Sequence, residues 1–197
     1  MEKKESKNIY IILTQTGTFL SRVVKMITGA KYSHVSIATD KELSDMYSFG
    51  RRHAYNPFWA GFVKESMFNG TFKRFKNTDA LVMEIAVTDK QYEKIKKYLK
   101  MFNTYKKAFG YNFKGLFYAW FGKSVSVRRK YYCSEFVKAI LVKAKVANEK
   151  DFPEVTQPIH FFTTYHDNVT YIGKLSKYPK FLKEQDSQKT GDNGLIE

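Results

Sequence analysis

The chain has 197 residues, 43% of them hydrophobic and 17% aromatic, a composition that supports one folded domain with its own core and excludes an intrinsically disordered chain. Its net charge of +15 suits an anionic partner, but the lysines are spread along the whole chain and form none of the compact nucleic-acid-binding motifs. A single cysteine excludes an internal disulfide framework, and the absence of a Cys/His cluster with zinc spacing predicts that no metal or other cofactor is bound.

The two termini of the sequence are polar. The first seven residues are mostly charged and lead into only a short apolar run, which is typical of neither a secretory signal nor a membrane span. We therefore expect a cytoplasmic protein with a single domain over residues 1–183. Residues 184–197 are polar and contain glycine, and the sequence predicts a disordered tail there.

The first half of the chain is predicted to contain three strands and one helix. Residues 8–14 form a β-branched run typical of a buried strand, and the apolar spacing over 19–28 predicts a helix that ends at Gly29. Residues 33–38 predict a second strand, and 45–49 return as a third strand that closes a hairpin. The segment 50–78 is basic, aromatic and interrupted by proline and glycine, so it is either a substrate-facing loop or partly strand.

The second half of the chain is predicted to be richer in helices. Residues 80–87 predict a strand, and the spacing of Thr88 and Gln91 is that of a capping box opening a helix that extends to about residue 103. The aromatic segment 113–121 favours a core helix, with a wall of a site or a membrane-touching patch as alternatives. A helix from residue 133 to about 147, a short helix over 156–165 and a strand over 168–175 complete the chain.

Cys133 is the chain's only cysteine and lies at the start of a predicted helix with one apolar face. A thiol at a helix N-terminus faces unpaired backbone N–H groups and the positive end of the helix dipole, and both favour the nucleophilic thiolate. The alternative is that Cys133 is a small hydrophobic residue of the core, as free cysteines often are.

A cysteine nucleophile needs a general base, and the chain has four histidines. His34 lies on a predicted strand, on the face opposite its apolar neighbours and between small serines, where a rigid backbone would hold the imidazole in place. His53 lies beside two arginines and is expected at the surface. His160 falls in an apolar run and His166 in a polar turn, and both are expected to be structural or surface residues.

Three segments of the sequence resemble the circularly permuted members of the NlpC-like, papain-fold cysteine hydrolases, the YiiX-like group. They are the opening strand with residues 14–38, the residues 109–112 (FGYN) and the residues 132–137 (YCSEFV). In that group the histidine strand comes early and the cysteine helix late. The resemblance implies an α+β fold, an antiparallel sheet packed against helices, with the Cys133 helix lying against the His34 strand.

Site roles follow from the same resemblance. It implies Cys133 as nucleophile, His34 as general base, and Tyr111 as a hydroxyl donor to the oxyanion together with the Cys133 backbone N–H. The third residue, which orients the imidazole, comes from the strand paired with the histidine strand. We assign it to Ser48, with Asp45 as the alternative carboxylate. Glu135 is interpreted as a surface or capping carboxylate.

The expected activity is that of a cysteine peptidase or amidase that cleaves an amide or ester through a Cys133 acyl-enzyme. The substrate would be a peptide, a cell-wall peptide or an acylated lipid. The basic surface indicates peripheral contact with an anionic membrane or wall polymer and does not predict nucleic-acid binding. An acyltransferase on the same fold and a catalytically weak binding module are the alternatives.

Overall fold

The computed structural model describes residues 7–16, 31–53, 56–119 and 121–192, and it shows an α+β protein built on an eight-stranded sheet. The strands are β1 (Lys7–Gln15), β2 (His34–Ala38), β3 (Met46–His53), β4 (Asn56–Glu65), β5 (Asp79–Val87), β6 (Gly110–Tyr111), β7 (Lys130–Tyr131) and β8 (Val169–Lys174). They lie in the order β7-β6-β4-β3-β2-β1-β5-β8. The described pairings are antiparallel except that of β6 with β7, so the predicted α+β class is confirmed.

Helices cover both faces of this sheet. They are α1 (Gly70–Arg74), α2 (Asp89–Thr104), α3 (Phe113–Ala119), α4 (Cys133–Ala144), α5 (Pro158–Thr164) and α6 (Tyr178–Asp192). Strand β1 lies between β2 and β5, and its alternating side chains are buried on both sides. This double burial explains why its sequence is a continuous apolar run with no polar face.

The larger core lies between one face of the sheet and the helices α2, α4 and α5. Its strand residues include Ile11, Ile37 and Phe49, which meet the apolar side of α4. The residues of α4 that point inward recur at helical spacing, as expected: Phe136, Val137, Ile140, Leu141 and Ala144. Helix α4 therefore lies against the strand that begins with His34.

The smaller core lies on the opposite face of the sheet, under α1 and α6. It contains Ile12 and Met46 from the strands, Phe72 from α1, and Tyr178 and Leu182 from α6. Helix α6 runs from Tyr178 to Asp192 and so extends through most of the segment predicted to be a disordered tail, because its first turns are held in this core.

The segment 50–78 is partly strand, one of the two alternatives that the sequence left open. It contains the end of β3, the whole of β4 and the short helix α1. The hairpin is hard to recognise in sequence because glycines interrupt its periodicity, and Gly50 and Gly61 pair directly across the two strands. The helix predicted over 19–28 lies outside the described residues. Among the helices that the structure describes, none is long and apolar enough to cross a membrane.

Candidate active site

Cys133 and His34 meet because each is the first residue of its element. His34 opens β2, Cys133 opens α4, and the helix packs across the strand, so the two starts lie together. Cys133 lies within interaction range of the imidazole, and its proximity helps to raise the pKa of His34. The thiol residue is 6% exposed and the His34 side chain 20% exposed, which places the pair just beneath the surface. The structure thus brings together the two residues on which the predicted chemistry depends.

A carboxylate holds the other side of the imidazole. His34 Nε2 lies 3.0 Å from Glu65 Oε1 and 3.1 Å from Glu65 Oε2. The Ser36 hydroxyl donates to Glu65 Oε2 at 2.6 Å and fixes the carboxylate in turn. Because Nε2 is bonded to Glu65, Nδ1 is the ring nitrogen that remains for the thiol. The result is a chain of contacts from Cys133 through His34 to Glu65.

The electrostatics of this chain favour a charged pair. Burial by itself lowers the pKa of His34, but the Glu65 carboxylate and the hydrogen bonds to Cys133 and Glu65 raise it to about 10. Burial likewise raises the pKa of Glu65, but the imidazolium, the Ser36 hydroxyl and the Arg51 guanidinium together hold it below its usual range. At neutral pH the pair is therefore an imidazolium bonded to a carboxylate.

Gly50 leaves the room that the imidazole occupies. A Cβ added at residue 50 would lie 3.3 Å from His34 Cε1 and 3.6 Å from Glu65 Oε1. The first distance is tighter than nearly all real Cβ contacts. A side chain at this position would therefore push the imidazole away from its carboxylate.

The assignment of the orienting residue to Ser48 or Asp45 is corrected by these contacts. The Ser48 hydroxyl is buried and donates to the Val35 carbonyl at 2.7 Å, so it braces the β2 backbone. Asp45 forms an ion pair with Lys64 at 2.7 Å on the surface. The residue that bonds to the imidazole is instead Glu65, on β4, which lies one strand further from β2 than the strand of Ser48.

A sequence signal for Glu65 did exist. It is the only acidic residue between Asp45 and Asp79, in a stretch otherwise rich in lysine and arginine. An isolated carboxylate in a basic segment is a candidate partner for a histidine. The sequence does not reveal the β3–β4 hairpin that carries Glu65, so it does not predict the position of Glu65 relative to His34.

The start of α4 is held by a network around Glu135. The Tyr132 backbone N–H donates to Glu135 Oε2 at 3.0 Å, which makes Glu135 the capping carboxylate of this helix. The buried Asn112 side chain donates to both Glu135 oxygens at 3.2 Å and accepts from the Gly115 N–H at 2.8 Å. Asn112 therefore joins the first turn of α3 to the first turn of α4, and so fixes α3 relative to Cys133.

Tyr111 lies beside the thiol, as the oxyanion role requires. Burial raises the pKa of Tyr111 first, and the negative charge of Cys133 raises it further, so its hydroxyl keeps its proton and remains a donor. Arg51 is half-buried near both Tyr111 and Glu65. It supplies a positive charge within the field of the site.

A cavity of about 390 Å³ opens next to this chain of contacts. Glu65 and Arg51 belong both to its lining and to the surroundings of His34. The remaining lining includes Asp45, Arg52, Lys64 and Thr71, so the cavity is largely polar, and it lies on the Glu65 side of the imidazole.

Two of the remaining histidines have partners other than the thiol. His160 Nδ1 accepts the Gln157 backbone N–H at 3.1 Å and so caps α5. His166 is exposed and lies 3.2 Å from its neighbour Asp167. The side chain of His53 is outside the described part of the structure. Within the described ranges, no group of three or more His, Cys, Asp or Glu residues is arranged to hold a metal ion.

No family model, curated protein or solved structure matches this chain. The site is therefore described by its own geometry: a buried thiol at a helix start, an imidazole near it, and a carboxylate bonded to that imidazole. These are the residue types that a cysteine nucleophile, its proton carrier and an orienting group would require.

Proposed function

We propose that this protein is a cysteine hydrolase of the circularly permuted, papain-like (NlpC-like) type, which cleaves an amide or ester bond through an acyl-enzyme on Cys133. The observation that carries the proposal is the chain of contacts from Cys133 through His34 to Glu65. A thiol buried only for packing has no need of an imidazole held in place by its own carboxylate.

The reaction would begin with a thiolate and an imidazolium. The raised pKa of His34 keeps its proton at neutral pH. An imidazolium next to a cysteine favours the thiolate, which is the nucleophilic form. The thiolate attacks the substrate carbonyl carbon, and the carbonyl oxygen takes on negative charge. As the intermediate collapses, His34 gives its proton to the leaving amine or alkoxide, and the acyl group remains on sulfur.

Hydrolysis of the acyl-enzyme uses the same residues in reverse. Neutral His34 now accepts a proton from the water that attacks the thioester. The C–S bond breaks, the acyl group leaves as the acid, and the Cys133 thiolate is released beside an imidazolium that keeps the proton. The oxyanion of both steps would be bound by the Cys133 N–H and the Tyr111 hydroxyl. Glu65 keeps the imidazole in one orientation and stabilises its charged form throughout.

The test is the rate at which iodoacetamide alkylates Cys133 as a function of pH. Because the chain has one cysteine, intact mass reports this thiol alone. We expect the wild type to react rapidly even in mildly acidic solution. His34→Ala should slow the reaction at pH 6 by about tenfold or more, since the thiolate loses its imidazolium partner. His166→Ala, which removes an exposed histidine far from the thiol, is the matched control and should react like the wild type.

A second readout follows the acyl group itself. With p-nitrophenyl acetate as a generic acyl donor, the wild type should release acetate repeatedly, while Cys133→Ala should not react above background. A thiol with the same pH profile in the wild type and in His34→Ala, together with no acetyl transfer to Cys133, would show that the proposal is wrong.

A further inference from the structure

Helix α3 presents an exposed row of aromatic side chains. Phe113, Phe117 and Phe121 are 46%, 55% and 64% exposed, and their spacing of four places them along one side of the helix and the turn that follows it. The Phe117 ring lies 5.4 Å from that of Phe121 and 5.8 Å from that of Tyr118. We call these four residues the aromatic ridge. Contiguous exposed apolar surface of this kind marks an interaction site.

The sequence around the aromatic ridge is strongly basic. Residues 94–134 contain eleven lysines or arginines and no acidic residue. Ten of these cations are exposed. The seven that follow residue 105 form no ion pair with another residue that the structure describes: Lys106, Lys107, Lys114, Lys123, Arg128, Arg129 and Lys130. A partner that complements this surface would need a negatively charged surface, with an apolar layer just beneath it that the exposed rings can enter.

The aromatic ridge is connected to the candidate active site. The Phe113 ring lies 4.6 Å from the Tyr111 ring, and Tyr111 lies beside Cys133. Asn112 bonds the first turn of α3 to Glu135 on α4. A surface that receives the ridge therefore comes to rest near the thiol, at a fixed orientation.

We propose that the aromatic ridge and its flanking cations dock this protein on the surface of an anionic phospholipid bilayer. Aromatic rings are favoured at the depth of the lipid headgroups, and each nearby lysine or arginine is attracted to anionic lipid. A second copy of the chain is a poor occupant, since two such basic surfaces repel each other. The rings of Phe117, Tyr118 and Phe121 pack edge to face and are exposed, whereas proteins that stack nucleic-acid bases hold them within a groove.

The experiment is co-sedimentation of the full chain with phosphatidylcholine vesicles, prepared with and without phosphatidylglycerol. We expect binding only when phosphatidylglycerol is present, with weakening as salt is added. The double variant Phe117→Ser/Phe121→Ser should bind about tenfold more weakly or worse, since two rings no longer enter the interface. Arg128→Gln/Arg129→Gln should bind several-fold more weakly, an effect that salt diminishes.

Matched controls separate the ridge from general hydrophobicity and charge. Phe68→Ser/Ile172→Ser removes two side chains that are 61% and 60% exposed elsewhere on the surface, and Lys73→Gln/Lys76→Gln removes two exposed charges. Both should bind vesicles like the wild type. Equal binding by the ridge variant and the wild type, or loss of binding in the controls as large as in the ridge variant, would overturn the proposal.

Other occupants give distinct results. A wild type that ignores anionic vesicles but binds single-stranded DNA, or that dimerises in sedimentation velocity through the ridge, would also overturn it. The outcome is independent of the proposed hydrolysis. Cys133→Ala should keep its vesicle binding, and the ridge variant should keep the wild-type rate of alkylation by iodoacetamide.

Discussion

The first turns of α2 and α4 have related capping sequences, but the groups around the two helix starts differ. At α2, the Thr88 hydroxyl accepts the Gln91 N–H at 3.3 Å, and the Gln91 side chain accepts the Thr88 N–H at 2.9 Å, so the capping box is complete and lies on the surface. At α4, Glu135 accepts the N–H of Tyr132, but Tyr132 supplies no side-chain cap in return. Cys133 occupies the first helical position there.

The two helix starts, of α2 and α4, differ in which acceptors bind their first backbone N–H groups. A complete capping box satisfies these donors with the helix's own side chains, and its effect is confined to stability. At α4 the cap comes from one side only, and the N–H of Cys133 is left at the position where an oxyanion would form. His34 and Glu65 add a partly buried pair of charges at this start, whereas the ion pair of Lys7 with Asp89 beside Thr88 is exposed.

The largest expected difference between the two starts is in the pH dependence of stability. The folded pKa of His34, about 10, lies above its unfolded value near 6.5, so its contribution is fully present below pH 6.5 and is lost as pH rises toward 10. We expect a loss of about 3 kcal/mol in the free energy of unfolding over this range, the scale of a broken buried ion pair. Urea unfolding at a series of pH values measures it.

The matched variants for this measurement are His34→Gln and Thr88→Ala. The difference between the wild type and His34→Gln isolates this histidine from other groups that titrate in alkaline solution, and it should shrink steadily above pH 6.5. Thr88→Ala should lower the whole curve without changing its slope. A constant difference between wild type and His34→Gln would contradict the assigned ion pair.

Removing the charge of Glu65 should be the next largest effect. Glu65→Gln keeps the size of the side chain but no longer stabilises the imidazolium, so we expect Cys133 to be alkylated up to about thirtyfold more slowly at pH 7, the limit set by a thiol with its free pKa of about 8.5. Ser48→Ala is the control, because Ser48 bonds only the Val35 carbonyl among the contacts described. Equal rates for Glu65→Gln and the wild type would return the orienting role to another residue.

Breaking the one-sided cap of α4 should cost less. Glu135→Ala leaves the Tyr132 N–H and the buried Asn112 amide without their acceptor, and we expect the free energy of unfolding to fall by about 2 kcal/mol. Glu135→Gln should recover part of this loss, since an amide oxygen can still accept from Tyr132. Chemical denaturation of the three proteins gives the comparison, and equal stabilities would mean that the cap is not formed.

The smallest effect is expected at the complete capping box. Thr88→Ala should lower the free energy of unfolding by about 1 kcal/mol and leave the alkylation of Cys133 unchanged. Such a result would sharpen the contrast between a helix start that acts only on stability and one that acts on chemistry. A change in thiol reactivity would show instead that the two starts are coupled through the core they share.

The parts of the site that sequence could predict were those set by local pattern. Strict alternation marked the strand of His34, and helical spacing marked the helix that begins at Cys133. The expectation that this strand and this helix lie against each other came from the family resemblance, not from the hydrophobic periodicity. The position of Glu65 relative to His34 depends on which strands pair across the sheet, which the sequence does not show. Gly50 and Gly61 also interrupt the alternating pattern of the β3–β4 hairpin that carries Glu65.

The end of the chain shows the same limit. Residues 184–192 are polar, and polarity alone indicated disorder, yet α6 continues through them. The helix is nucleated by Tyr178 and Leu182, whose burial in the smaller core holds its first turns, and lysine, glutamate and glutamine are residues that extend a helix once it has formed. The packing that stabilises the first turns of α6 is a tertiary interaction, and the polar residues that follow give no sign of it.

The single thiol also sets how this site responds to oxidants. Cys133 has no second cysteine in the chain with which to form a disulfide. A sulfenic acid formed on Cys133 can therefore become a disulfide only with a thiol from another molecule, and oxidation beyond it to the sulfinic acid is not reversed by thiols. The reducing capacity of the surroundings thus decides how long this thiol survives.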